Sequence, residues 1–178
     1  MWFYPIGEGN TEVTNYVSYN YAEDLWSVGT LDRGAWQGVG TQNFPMATSV
    51  NGGASTANYL YYHENGFDDD GSAMNAFVES GDLELQEGER FMLVSRIIPD
   101  FAFSGLTSDA SISMTMKGSD FPLETPTTLS TSTITNSSTQ SFIRARSRHQ
   151  VVRIESSGLG YGWRLGDLRF DMRPDGRR

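Results

Sequence analysis

Glycine and proline recur so often along this chain that a long helix has no room. Gly52-Gly53, Gly81, Gly88, Pro99, Gly118, Pro122, Gly158 to Gly162 and Pro174 cut it into short segments. Both residues disfavour helix interiors and mark turns. The one stretch of helix-forming composition, residues 79–91, is itself broken by Gly81 and Gly88. Between the breaks, side chains alternate with the period of a strand. Val17, Tyr19 and Tyr21 fall on one face of residues 15–21, and Tyr16, Ser18 and Asn20 on the other. The same reading predicts strands over 25–31, 59–63, 73–79, 90–98, 110–117, 141–147, 150–156 and 163–173. Glu64-Asn65-Gly66 is predicted to close a tight hairpin, because Asn-Gly tolerates positive φ. The Ser/Thr-rich run Thr127–Gln140 reads as a loop leading into a strand. The chain is therefore predicted to be all-β.

Composition changes near Gly71. Aromatic hairpins and acids precede it, and longer aliphatic strands follow. This places an organisational boundary there, between residues 1–72 and 73–178, and short strands with Gly-rich turns fit a sandwich, barrel or propeller. The eight rings between Trp2 and Trp36 are expected to form core, since alternation is all that a core requires.

Charge is divided unevenly. Residues 1–120 hold four basic and 17 acidic side chains, whereas 121–178 hold nine basic and five acidic, for a net −9 overall. Lys117 is the only lysine. Arginine suits planar ion pairs and interfaces, lysine a solvated surface. Arg144, Arg146 and Arg148 alternate and are expected to share one strand face. Either they form a phosphate-binding ladder, or they pair with Glu155, Asp167, Asp171 and Asp175 within or between chains. The alternating signs at the C-terminus favour pairing. Arg144, Arg146, Arg148, Arg153 and Arg164 are thus the candidate subunit-interface residues.

Chemistry-bearing motifs are sparse. With no cysteine there is no thiol nucleophile, thiolate metal site or disulfide. Asp68-Asp69-Asp70-Gly71 supplies carboxylates, with Asp68 and Asp70 the candidate metal ligands. They lack the alternation of an EF-hand loop, so a solvated acidic loop is the expectation. Gly158-Leu159-Gly160-Tyr161-Gly162 lacks the spacing of a dinucleotide fingerprint and reads as a β-turn. Neither a Gly-x-Ser-x-Gly elbow nor a His-Glu-x-x-His pair occurs. No cofactor is expected, and the chain is expected not to be an enzyme. No apolar run reaches the ~20 residues of a membrane-spanning helix, and no basic region precedes an apolar one as in a signal peptide.

Several segments, in order, resemble a known family. Asn20-Tyr21-Ala22-Glu23-Asp24-Leu25-Trp26-Ser27-Val28-Gly29 looks like a blade hairpin of the tail nozzle proteins of short-tailed phages. This tail tubular protein B-like family is related to packaged-DNA stabilisation proteins. The likeness continues through residues 59–66, 68–74 and 96–100. It resumes at Ile143-Arg144-Ala145-Arg146-Ser147-Arg148, Val152-Arg153-Ile154-Glu155-Ser156, Gly162-Trp163-Arg164-Leu165-Gly166 and residues 171–178. It implies a propeller-containing virion protein, with propeller-type hairpins over residues 1–72 and a β-sandwich-like domain over 73–178, made in the bacterial cytoplasm and assembled in the phage tail as a ring, usually of six copies. Adaptor and other tail proteins would be its partners, with genomic DNA passing through non-specifically. The implied role is to form part of the DNA-exit channel and retain packaged DNA. Proteins of that family are several times longer and the likeness is to their C-terminal portion, so the chain is expected to be part of a longer protein or the product of a split gene. An acidic lumen would repel phosphate and let a duplex slide. The residues leave two alternatives open. One is a carbohydrate- or receptor-binding module using the aromatic hairpins. The other is a glycan hydrolase using Glu64 and Asp68–Asp70 near His63.

Overall fold

A computed structural model describes residues 1–11, 13–49, 59–105 and 110–177. Among these, every regular element is a strand, and no sheet closes into a barrel. Among the described residues no helix is long and apolar enough to cross a membrane. The chain divides into two compact units, Met1–Asn65 and Gly66–Arg178.

The first unit holds two antiparallel three-stranded sheets. One contains β1 (Trp2–Tyr4), β2 (Asn15–Asn20) and β3 (Leu25–Thr30), the other β4 (Arg33–Gln37), β5 (Met46–Ser49) and β6 (Leu60–Tyr62). Register sorts the aromatic side chains. Phe3 pairs with Tyr16, and the Phe3 ring lies 5.7 Å from Trp36, which in turn lies 4.6 Å from His63. The opposite face carries Trp2, Val17, Tyr19, Trp26 and Val28, aligned by the pairs Trp2↔Val17, Val17↔Val28 and Tyr19↔Trp26. These rings do not form a core. Trp2 is 56% exposed and Trp26 63%, and only Pro45 and Ala47 are buried among the described residues of this unit. Alternation put them on one face, but no described residue of the unit buries that face.

The second unit begins with β7 (Asp68–Asp69) and β8 (Ser72–Ala73), a hairpin whose two-residue turn is Asp70 (φ 49°) and Gly71 (φ 79°). Consecutive positive φ values are those of a type I′ turn, for which Asp-Gly is favoured. The tight turn predicted at Asn65-Gly66 therefore lies at Asp70-Gly71 instead, because β6 pairs back onto β5. The acidic run forms this hairpin and is not an open loop.

The remaining strands are β9 (Ala76–Glu79), β10 (Leu83–Glu84), β11 (Met92–Ile98), β12 (Phe101–Gly105), β13 (Ser111–Ser119), β14 (Thr127–Thr135), β15 (Ser141–Ser147), β16 (His149–Ser156), β17 (Tyr161–Leu165) and β18 (Arg169–Pro174). β14, β13 and β16 pair side by side, and β16 pairs also with β9 and β10, making a five-stranded sheet. β15, β11 and β18 make a three-stranded one, and β12 pairs with β17. Two expectations are corrected. Thr127–Thr135 is a nine-residue strand, since β13 supplies its whole ladder. The single strand predicted over 163–173 is two, because β17 pairs with β12 and β18 with β11, in different sheets.

Both larger sheets feed one core. β13 contributes Ile112, Met114 and Met116, β16 Val152 and Ile154, and β14 Ile134. From the three-stranded sheet come Met92, Val94, Ile97 and Ala145. Each full burial of such a side chain stabilises by about 1.5–3 kcal/mol. Gln150, with no exposed surface, sits among them. Its Nε2 donates to the Met92 carbonyl at 2.9 Å and the Ala145 carbonyl at 3.2 Å, tying β16 to the other sheet.

Candidate functional site

The face of the five-stranded sheet turned away from the core is a polar array set by register. One row across β9, β16, β13 and β14 reads Phe77, Glu155, Ser113, Thr133. The next reads Glu79, Arg153, Thr115, Thr131. Directly opposed residues of paired strands share a face, so the eight side chains stand together.

Four charges in this array form one network. Lys117 Nζ lies 2.6 Å from Glu79 Oε2, and Arg153 Nη1 lies 3.3 Å from the same oxygen. Arg153 Nε donates to Glu155 Oε2 at 2.8 Å. The Arg153 guanidinium carbon stands 4.1 Å from the centroid of the Phe77 ring, a cation–π distance. Two cations and two carboxylates leave the network neutral. The Lys117 ammonium, with Arg153 behind it, holds the Glu79 carboxyl below its ordinary value against the opposing effect of burial. Glu155 and Glu79 hold Arg153 above its ordinary value.

A depressed carboxyl contributes stability above its unfolded pKa and loses it as pH falls through the folded one. Lys117→Ala is therefore expected to shift the Glu79 carboxyl titration upward, read by carbon-detected NMR. It should also move the onset of acid unfolding to higher pH, by a small margin because the pair is partly exposed. An unmoved Glu79 midpoint would count against the network.

At one end of this face the segment 156–161 rises as a wall. Trp163 Nε1 donates to Ser156 Oγ at 2.8 Å, and the Tyr161 hydroxyl donates to the Ser111 carbonyl at 2.5 Å. Between wall and sheet lies an open groove of about 620 Å³, a volume within the range of small-ligand sites. The glycine-rich turn in the wall is held from the far side, where Asp68 Oδ1 accepts the Gly160 N–H at 2.6 Å.

The arginines singled out by sequence are not gathered in one place. Arg144 and Arg146 do alternate on the exposed face of β15, but Arg148 lies past its end. Arg146 Nε donates to Asp175 Oδ2 at 2.5 Å and its guanidinium packs on Phe91 at 3.9 Å. Arg148 donates to the carbonyls of Gly88, Glu89 and Arg177, joining two loops. Arg153 belongs to the sheet-face network. Arg144 and Arg164 are exposed, with no ion-pair partner among the described residues. Asp171 pairs with Arg96 at 2.6 Å.

The other candidates are also placed. Asp70 forms the I′ turn and Asp68 holds Gly160. No cluster of three or more potential metal ligands occurs among the described residues. His63 accepts from Arg33 Nε at 3.3 Å within the first unit. On that unit's exposed face, the Tyr19 and Trp26 rings are 4.6 Å apart with planes 27° from parallel, and Trp2 lies 6.0 Å from Trp26. At 4.6 Å the Tyr19 ring must overlap a flat face of Trp26. The Tyr19 hydroxyl donates to Asp24 Oδ1 at 2.8 Å, and that carboxylate holds it above the ordinary tyrosine value.

Phe77, Glu79, Ser113 and Thr133 were not marked by sequence as site residues. The signals available were the couplets Phe77-x-Glu79 and Arg153-x-Glu155, each placing two functional groups on one strand face. Searches with the sequence found no matching protein-family model and no matching curated protein.

Proposed function

We propose that the chain is a structural subunit of a short-tailed phage virion, a tail nozzle-type component contributing to the DNA-exit channel and to retention of the packaged genome. The observation that carries this reading is the uncovered face of the first unit. Trp2, Tyr19, Trp26 and Val28 present a contiguous apolar surface on a unit in which only Pro45 and Ala47 are buried among the described residues. Such surfaces mark protein contacts, and the described residues of this unit bury little apolar area against the entropy of ordering it. An assembly that packs other protein against this face supplies the missing burial.

The reading also draws on the ordered resemblance of segments spanning residues 20–178. In it, residues 1–72 are propeller-type hairpins and 73–178 a β-sandwich-like domain. Copies in a ring, an adaptor and other tail proteins are the partners. The acidic excess of residues 1–120 suits a conduit that DNA must traverse without sticking, and the exposed Arg144 and Arg164 suit contacts between subunits.

Immunogold labelling of particles from the phage genome encoding this sequence tests the proposal. Label at the tail tip is expected. Label confined to the capsid shell, or absent from purified particles, would overturn it.

A further inference from the structure

We infer that the groove on the outer face of the five-stranded sheet binds a neutral oligosaccharide. Three features carry this. First, the groove offers what sugar hydroxyls need, namely short donors and acceptors interleaved with planar groups. Ser113 and Thr133 stand in one row with Glu155, and Asn75 and Ser157 lie at the rim. None of these four hydroxyl or amide side chains has a hydrogen-bond partner among the described residues. Glu155 commits Oε2 to Arg153, and its Oε1 has no described partner.

Second, Phe77 supplies an apolar ring at 61% exposure on the same row. A sugar ring lays its C–H face on such a ring while its hydroxyls reach the polar row. The Arg153 guanidinium already packed on Phe77 fixes the ring's position.

Third, charge selects the ligand. Lys117, Arg153, Glu79 and Glu155 cancel within their own network, so neither a phosphate nor a carboxylate finds an unspent cation. An acidic peptide meets the same balance, and a basic one meets carboxylates already paired. A neutral polyhydroxyl chain incurs no such mismatch. The array stands on four hydrogen-bonded strands, which hold it in place before the ligand arrives.

This ligand is independent of the virion assignment: a chain located outside a phage tail would still be expected to bind it. The test is an array of neutral and anionic oligosaccharides probed with the full chain, followed by calorimetry on the best soluble neutral ligand. Saturable binding to neutral chains of two or more sugars is expected, weakened at least tenfold by Phe77→Ala and by Glu155→Gln. Thr133→Trp replaces a groove hydroxyl with a bulky ring that fills the groove and is expected to abolish binding. Trp26→Ala is expected to leave it unchanged, and the thermal melts of all four variants should stay near that of the parent. No neutral ligand on the array, binding restricted to anionic glycans, or binding that survives both Phe77→Ala and Thr133→Trp would overturn the inference.

Discussion

Gln150→Ala is expected to lower the stability of the second unit by about 3–4 kcal/mol, more than truncating any other polar side chain in the chain. Two effects add. The amide nitrogen leaves the Met92 and Ala145 carbonyls, and losing buried hydrogen bonds costs about 1–3 kcal/mol when an acceptor is left unsatisfied. The truncation also opens a cavity between β16 and the three-stranded sheet, at a further cost of about 24 cal/mol per Å³ left unfilled. Gln150→Met separates the two. It keeps the length, fills the space, and removes the Oε1 atom, which is buried without a partner. Its cost should be about 1–2 kcal/mol, since the same two carbonyls lose their donor but no cavity opens and the unpartnered acceptor goes too. Urea unfolding followed by amide exchange in β13 and β16 reads both. Equal losses for Ala and Met would mean that the cross-sheet bonds carry the effect and packing does not.

How far the sequence announces this fold depends on which physical signal each element uses. β13 and β16 alternate bulky apolar residues with polar ones, and Ile112, Met114, Met116, Val152 and Ile154 all point inward as that period predicts. β14 has no such signal. Ile134 is its single buried apolar residue, and its nine-residue ladder to β13 makes it a strand regardless. Propensity of Thr for extended backbone was visible, but the pairing that decides between strand and loop lies elsewhere in the chain. The break after Leu165 is similar, since its cause is the change of partner from β12 to β11, both far upstream.

The candidate sites follow the same division. Period two correctly groups Trp2, Val17, Tyr19, Trp26 and Val28 on one face, yet it carries no information on which of two faces is covered. The arginines read as one ladder because they alternate in sequence. The structure separates them because Arg148 sits at the corner between β15 and β16, where backbone carbonyls take its guanidinium. The groove was least legible. Phe77, Ser113, Thr133 and Glu155 come from four strands and meet only through register, which a single sequence does not state.

That corner carries the second large effect. Gly118→Ala is expected to cost about 2–3 kcal/mol, the upper part of the ~1–3 kcal/mol range for overpacking a filled site. A Cβ at Gly118 would overlap Ser147 Oγ outright, stand 2.8 Å from Ser147 Cβ and 2.6 Å from Leu129 Cδ1. Leu129 ends in a flexible branch and can turn aside. Ser147 cannot: it is 2% exposed, and its Oγ donates to the His149 carbonyl at 2.8 Å across the turn from β15 to β16. The strain therefore falls on the chain reversal that joins the two sheets, one residue from Gln150. Ser147→Gly removes both offending atoms, at the cost of its own hydrogen bond and the added backbone freedom of glycine. Gly118→Ala combined with Ser147→Gly should then be at least 1 kcal/mol more stable than the two separate losses predict, a coupling expected of residues in contact. Strict additivity in urea unfolding would show that the clash is relieved by Leu129 alone, and that the corner is looser than its close packing indicates.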